Sequence, residues 1–196
     1  MLHLPADYHP GFSIDLQKDK KLFLIVNGLC LCIAAFLIGL GSALHPVASF
    51  LQFMKQAAKD GLWFQYLAPL LVISFGSLVY IILHEAIHGI FMYAFSHVKP
   101  NFGFSGAYAY AGSNVYFGKI HYLIIALAPV VVWGIVLAVL NLTLPEHWFW
   151  PVYFIQIVNL SGAAGDFYVT WRFFSLPKDI LVQDTGVSMT VFLREC

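Results

Sequence analysis

The sequence predicts an all-α polytopic membrane protein, with about four transmembrane helices and a short β-hairpin or re-entrant loop between the second and third. Three observations lead there. Hydrophobic residues make up 60% of the chain and charged residues only 10%, with a mean hydropathy of +0.79, whereas soluble domains carry roughly 25% charged residues. Four segments reach the roughly 20 apolar residues needed to cross a bilayer. A further stretch alternates aromatic and small residues and lacks a helical period. With the spans subtracted from 196 residues, residues 1–196 read as a single integral-membrane domain. The partner that composition implies is the lipid bilayer, and a net charge of zero gives no reason to expect nucleic acid.

The first span, at about 22–44, follows Lys18, Lys20 and Lys21. Its apolar run is too long for a cleaved signal peptide, so it reads as a retained anchor. Cys30 and Cys32 sit within it as small apolar residues and form no disulfide framework. Between His45 and Gln65, Phe50, Leu51, Phe53 and Met54 mix with Gln52, Lys55, Gln56, Lys59 and Asp60 at the spacing of an amphipathic surface helix. The second span follows at about 66–95. From Asn101 to Gly118, Phe102/Phe104 and Tyr108/Tyr110 alternate with small residues, which suggests the hairpin. The third span, at about 121–143, contains Pro129, which is expected to kink it or open its backbone hydrogen bonds. The fourth is placed at about 148–174, and the tail beyond Pro177 is a strand or a cap. Lys18, Lys20, Lys21, Lys99, Lys119, Arg172, Lys178 and Arg194 fall on one side of this topology, against Lys55 and Lys59 on the other. The positive-inside rule then puts both termini in the cytoplasm.

Inside the second span lies His84-Glu85-Ala86-Ile87-His88. On a helix, histidines at i and i+4 share one face, so two imidazoles converge on one metal ion with Glu85 beside them as general base for a bound water. Of ten acidic residues only Glu85 and Asp166 fall well within spans, where ionisable groups cost at least ~2.5 kcal/mol on insertion scales. Zinc sites with two histidines take a third protein ligand and leave a position for water. Asp166 is the carboxylate available, and it lies at nearly the depth of His88. The expected centre is one Zn2+ held by His84, His88 and Asp166, with Glu85 catalytic. On the fourth span Asn159, Gly162, Ala163, Asp166 and Thr170 share one helical face. Asn159, Tyr108 and Tyr110 are candidate substrate contacts, Asn159 alternatively bridging helices. His3, His9, His45, His97, His121 and His147 read as surface or interfacial residues.

His84-Glu85-xx-His88-Gly89 in one span and Gly165-Asp166 in a later one resemble the site-2 protease type of intramembrane metalloprotease. The whole chain is still more similar to the small bacterial four-span membrane proteins grouped as zincin peptidases. That resemblance implies a multi-pass protein of the bacterial cell membrane, acting on a membrane-anchored protein or peptide. In site-2 proteases the carboxylate stands in Leu-Asp-Gly, whereas here Asp166 follows Gly165 and precedes Phe167, and no PDZ-like module is present. The expected activity is zinc-dependent intramembrane peptide hydrolysis. The alternative is a non-catalytic metal-binding membrane protein, a transporter or sensor, which is expected to show further polar residues along its route.

Overall fold

The computed structural model describes residues 1–105 and 108–195. Gly106 and Ala107, within the expected hairpin, and Cys196 lie outside the described residues. Three described helices are long and apolar enough to cross a membrane: α1 (Lys20–Leu44), the continuous stretch Trp63–Ser96, and α5 (Lys119–Thr143). Each reflects an unbroken apolar run, and each exposes large side chains such as Leu31, Phe36, Phe75 and Ile135, as lipid-facing helices do. α1 starts where Asp19 caps the Leu22 N–H at 2.9 Å. α2 (Val47–Lys59) covers the expected amphipathic segment and stops before Gly61, whose φ of 68° suits glycine. The second long stretch joins α3 (Trp63–Leu71) to α4 (Ser77–Ser96) through a π-helical turn at Val72–Gly76.

Two features correct the expected all-α fold with four continuous spans. The segment expected as a fourth span is divided into α6 (Phe149–Gly162) and α7 (Ala164–Phe174), of 14 and 11 residues, with the backbone breaking at Ala163. Neither half is long enough to cross by itself. Secondly, both ends of the chain and the segment just before α5 form strands. β1 (Tyr8–Ile14), β4 (Tyr116–Gly118), β5 (Leu181–Asp184) and β6 (Met189–Arg194) make an antiparallel sheet in the order β1-β6-β5-β4. The hairpin read from sequence is present separately, as β2 (Asn101–Phe104) paired with β3 (Ala109–Gly112).

The chain clusters into two compact units. The first comprises Met1–Asn27, Ile82–Pro129 and Ala164–Cys196. Its core joins Met92, Val115, Phe117, Tyr122, Ile125, Phe173, Ile180, Val182 and Val191. The cross-strand pair Val182 and Val191 is fully buried, which fixes the β5–β6 register by burying one face. The second unit comprises Gly28–Ile81 and Val130–Ala163. There Leu37, Phe149, Tyr153 and Ile157 cluster, and Tyr153 donates to the Leu37 carbonyl at 2.9 Å. Gly41 admits the Tyr153 ring, since a Cβ at that position meets the ring at 2.3 Å.

The hairpin is wedged against the β5–β6 turn at Gly112, where a Cβ would lie 2.2 Å from the Thr185 carbonyl oxygen. That neighbour is backbone and does not rotate away. Gly112→Ala is therefore expected to destabilise the protein by at least about 1–3 kcal/mol, the usual cost of overpacking. Gly118→Ala, with nothing within 4 Å of its Cβ, serves as the neutral control. Thermal unfolding in detergent, followed by circular dichroism, checks the difference.

Candidate metal centre

The centre is built within the first unit, from α4, α7, the hairpin and α5. The i, i+4 spacing on α4 stacks His84 and His88 one turn apart, both 9% exposed, with Nε2 atoms 3.2 Å from each other. Asp166 reaches both: one carboxylate oxygen is 3.5 Å from His84 Nε2, and the other 3.7 Å from His88 Nε2. Zinc bonds of 2.0–2.1 Å at tetrahedral angles set ligand atoms roughly 3.3 Å apart, so these three spacings fit one such ion. With Nδ1 of His88 donating to the Ile125 carbonyl, its Nε2 lone pair faces His84 Nε2, and these two nitrogens with the Asp166 carboxylate form a donor set that one cation could share. His84, Glu85 and His88 also offer ligand atoms within 4.8 Å of one another. The donor set suits a borderline divalent ion, with imidazole nitrogen and carboxylate oxygen.

Asp166 owes its place to the break at Ala163. It is the third residue of α7, within the first turn, where unpaired N–H groups favour a carboxylate. Sequence periodicity placed it in mid-span on one continuous face with Asn159; the break removes that relation. Asn159 itself is fully buried in the second unit. Its Oδ1 accepts from the Tyr80 hydroxyl at 2.8 Å, and its Nδ2 donates to the Val130 carbonyl at 3.4 Å. Both ends of the carboxamide are occupied, as expected for a group that bridges helices. Gly162 and Gly165 have open space where a Cβ would stand, so neither marks a close helix approach among the described residues.

Glu85 points to the hairpin. Its Oε2 accepts the Ala111 N–H at 2.8 Å. The hairpin's register explains which strand faces it. Ser105 N–H bonds the Tyr108 carbonyl, so in antiparallel alternation Gly103/Tyr110 and Asn101/Gly112 are the hydrogen-bonded pairs. The main-chain groups of Ala109 and Ala111 then point away from β2, and the β3 edge lies beside Glu85. Gly89 lets the hairpin approach α4, because a Cβ there would meet the Phe102 ring at 2.3 Å. The Tyr110 ring lies across Gly103 and against Gly186, whose φ is 84°. Tyr108 is half-buried at the start of the return strand.

Four contributors were invisible to sequence reasoning. The Ala111 N–H and the Ile125 carbonyl, the latter 2.9 Å from His88 Nδ1, are backbone groups that no residue pattern announces. The other two are a pair: the Tyr122 hydroxyl donates to Asp184 Oδ2, while Gly186 N–H donates to Oδ1 at 2.8 Å. Burial pushes the Asp184 carboxyl up from its ordinary range, opposed by these two hydrogen bonds. The Asp184 carbonyl in turn accepts from Ser113 N–H at 2.6 Å. The β5–β6 turn thereby clamps the end of β3 whose amide holds Glu85.

A model of the family described as "Putative zincin peptidase" matches residues 77–181, more than half of the chain, and the chain belongs to that family. The match takes in α4, the hairpin, α5 and Asp166, and ends before Asp184 and β6. No curated protein and no solved structure matches the chain.

With zinc bound to the native state only, ligand linkage contributes about 2.7 kcal/mol when free zinc is 100 times Kd. A chelator is thus expected to lower the melting temperature of the wild type and to leave Asp166→Ala unchanged. Differential scanning fluorimetry with and without chelator reads both.

Proposed function

From membership of this family we propose that the chain is a zinc-dependent intramembrane metallopeptidase that hydrolyses peptide bonds of membrane-anchored proteins or peptides. The observation that carries this reading is the meeting of His84 Nε2, His88 Nε2 and the Asp166 carboxylate at 3.2–3.7 Å, with Glu85 next in sequence and held apart from them by Ala111 N–H. When bound, one zinc ion supplies Lewis acidity toward a peptide carbonyl and makes a water easier to deprotonate near neutral pH. Glu85 takes that proton on a carboxylate oxygen and later delivers it to the leaving amine nitrogen. The balance is one water added across one C–N bond, hydroxyl to carbon and proton to nitrogen. His84, His88 and Asp166 would hold the ion. An extended substrate segment pairs with the β3 edge, where Ala109 N–H, Ala109 C=O and Ala111 C=O point outward, and Tyr108 and Tyr110 flank it. Asn159 acts from the second unit as a helix bridge.

Topology supports an embedded site. β1 pairs with β6, Tyr8 opposite Arg194, so the two ends of the chain lie on one side of the bilayer. Three crossings alone would separate them. We read α6 and α7 as together supplying the fourth crossing, an assignment supported by the pairing of β1 with β6. The excess of lysine and arginine on the side of the termini supports a cytoplasmic location for them.

Glu85→Gln is expected to retain zinc and to lose about 10²- to 10⁴-fold in turnover, the range for general acid–base groups. Asp166→Ala should lose the metal. Zinc content by elemental analysis, and cleavage of a membrane-peptide library by purified protein in lipid, measure both. Equal cleavage by wild type and Glu85→Gln would sink the hydrolytic mechanism; zinc retained with no cleavage in either favours a metal-binding transporter or sensor.

A further inference from the structure

α5 carries a proline within a span. Pro129 is less than 2% exposed, in the middle of a helix that runs from Lys119 to Thr143. Proline has no N–H, so the helical acceptor four residues earlier, the Ile125 carbonyl, has no donor from the helix. Ile125 is 1% exposed in the apolar core of the first unit. An acceptor left unpaired in such surroundings is destabilising. Its partner is His88 Nδ1, at 2.9 Å. The carbonyl that the proline leaves without a helical donor and the ring N–H that a metal-binding histidine has to spare satisfy each other. With the proton on Nδ1, the Nε2 lone pair is left facing His84 Nε2 and the Asp166 carboxylate.

We infer that Pro129 is a positioning residue of the metal centre: by withholding an N–H from the Ile125 carbonyl, it keeps that carbonyl available to fix the tautomer and ring orientation of His88. The inference rests on the metal-centre reading above. It differs from a kink alone in the direction of its effects. An alanine at 129 restores a helical donor to Ile125 and raises helix propensity, so a merely structural proline predicts equal or greater stability and unchanged metal binding. A positioning proline predicts weaker metal binding in a protein at least as stable, because the carbonyl is then shared with the helix and His88 loses its exclusive acceptor.

The test uses the full chain in detergent micelles at neutral pH, with Zn2+ as the probe. Zinc affinity is measured by competition with a chelating dye for wild type, for Pro129→Ala, and for a chain in which residue 129 is an α-hydroxy acid. That last variant lacks both the ring and the N–H. The protonation of the His88 ring nitrogens is followed alongside by nitrogen-15 resonance in the metal-free protein. Pro129→Ala is expected to weaken zinc binding about 10- to 100-fold, the range for lost partners of a ligating histidine. It is also expected to lose the sharp Nδ1–H tautomer signal, whereas the ester-linked variant keeps both. Unchanged affinity and tautomer in Pro129→Ala overturn the inference, and so does an ester-linked variant as weak as the alanine. If wild type binds no zinc, the metal-centre reading fails by itself. The ring signals then decide whether Pro129 governs His88, loss of Nδ1–H in Pro129→Ala supporting it and retention overturning it.

Discussion

Two imidazole nitrogens 3.2 Å apart, with a carboxylate oxygen within 3.7 Å of each, set the constraint that organises the first unit: three donor atoms are gathered at the spacing one divalent cation would take. Each surrounding feature serves to assemble it. The helical period of α4 puts His84 and His88 on one face. The break at Ala163 starts a new helix two residues before Asp166, so that the carboxylate stands in a first turn that favours negative charge. α5 offers Ile125 and Tyr122, three residues apart on one face, the first holding His88 and the second holding Asp184. The sheet anchors the turn that clamps β3, and β3 holds Glu85.

The long helices were legible because membrane solvation is a strong and local signal. Expected spans at 22–44, 66–95 and 121–143 differ from Lys20–Leu44, Trp63–Ser96 and Lys119–Thr143 by no more than three residues at any end. His84, Glu85 and His88 were legible for the same reason, since their grouping needs only a helix. The hairpin showed in its alternation of aromatic and small residues. The sheet was hidden by non-locality: β1 contains Pro10 and a register shift between Pro10 and Phe12, and its partner begins about 175 residues later in the chain. No window of sequence displays such a pairing. The break at Ala163 was hidden differently. Gly162-Ala163-Ala164-Gly165 has no proline and no polar cap, and its apolarity made a single span the simpler reading.

The division between the units also separates two uses of polar groups in an apolar protein. In the second unit several are tied off pairwise, Asn159 with Tyr80 and Val130, Tyr153 with Leu37, and Trp150 with the His45 carbonyl, while Trp133 Nε1, Asn141 Oδ1 and Gln156 Oε1 are buried without a partner. Such bonds add specificity to helix packing that dispersion alone would leave loose. In the first unit the polar groups converge on one point, which is the arrangement that chemistry at a fixed site requires.

That convergence gathers Glu85, Asp166 and Asp184 in one unit, and their partners decide what compensates their charge. Among the described residues, the lysine and arginine ion pairs are Lys18 with Asp15 and Arg194 with Asp7, both at the surface. None reaches the three carboxylates of the centre. Their donors are instead neutral: Ala111 N–H for Glu85, and the Tyr122 hydroxyl and Gly186 N–H for Asp184. Neutral donors orient a carboxylate without cancelling its charge. A lysine in their place would neutralise the site permanently and compete with any metal, since its ammonium occupies the same attraction. A divalent ion bound there would be the dominant positive charge in the centre, the condition under which it would polarise a carbonyl and a water most strongly. Among the described residues, the fixed partners of Glu85 and Asp184 are thus amides and a phenol, and those of Asp166 are the His84 and His88 imidazoles.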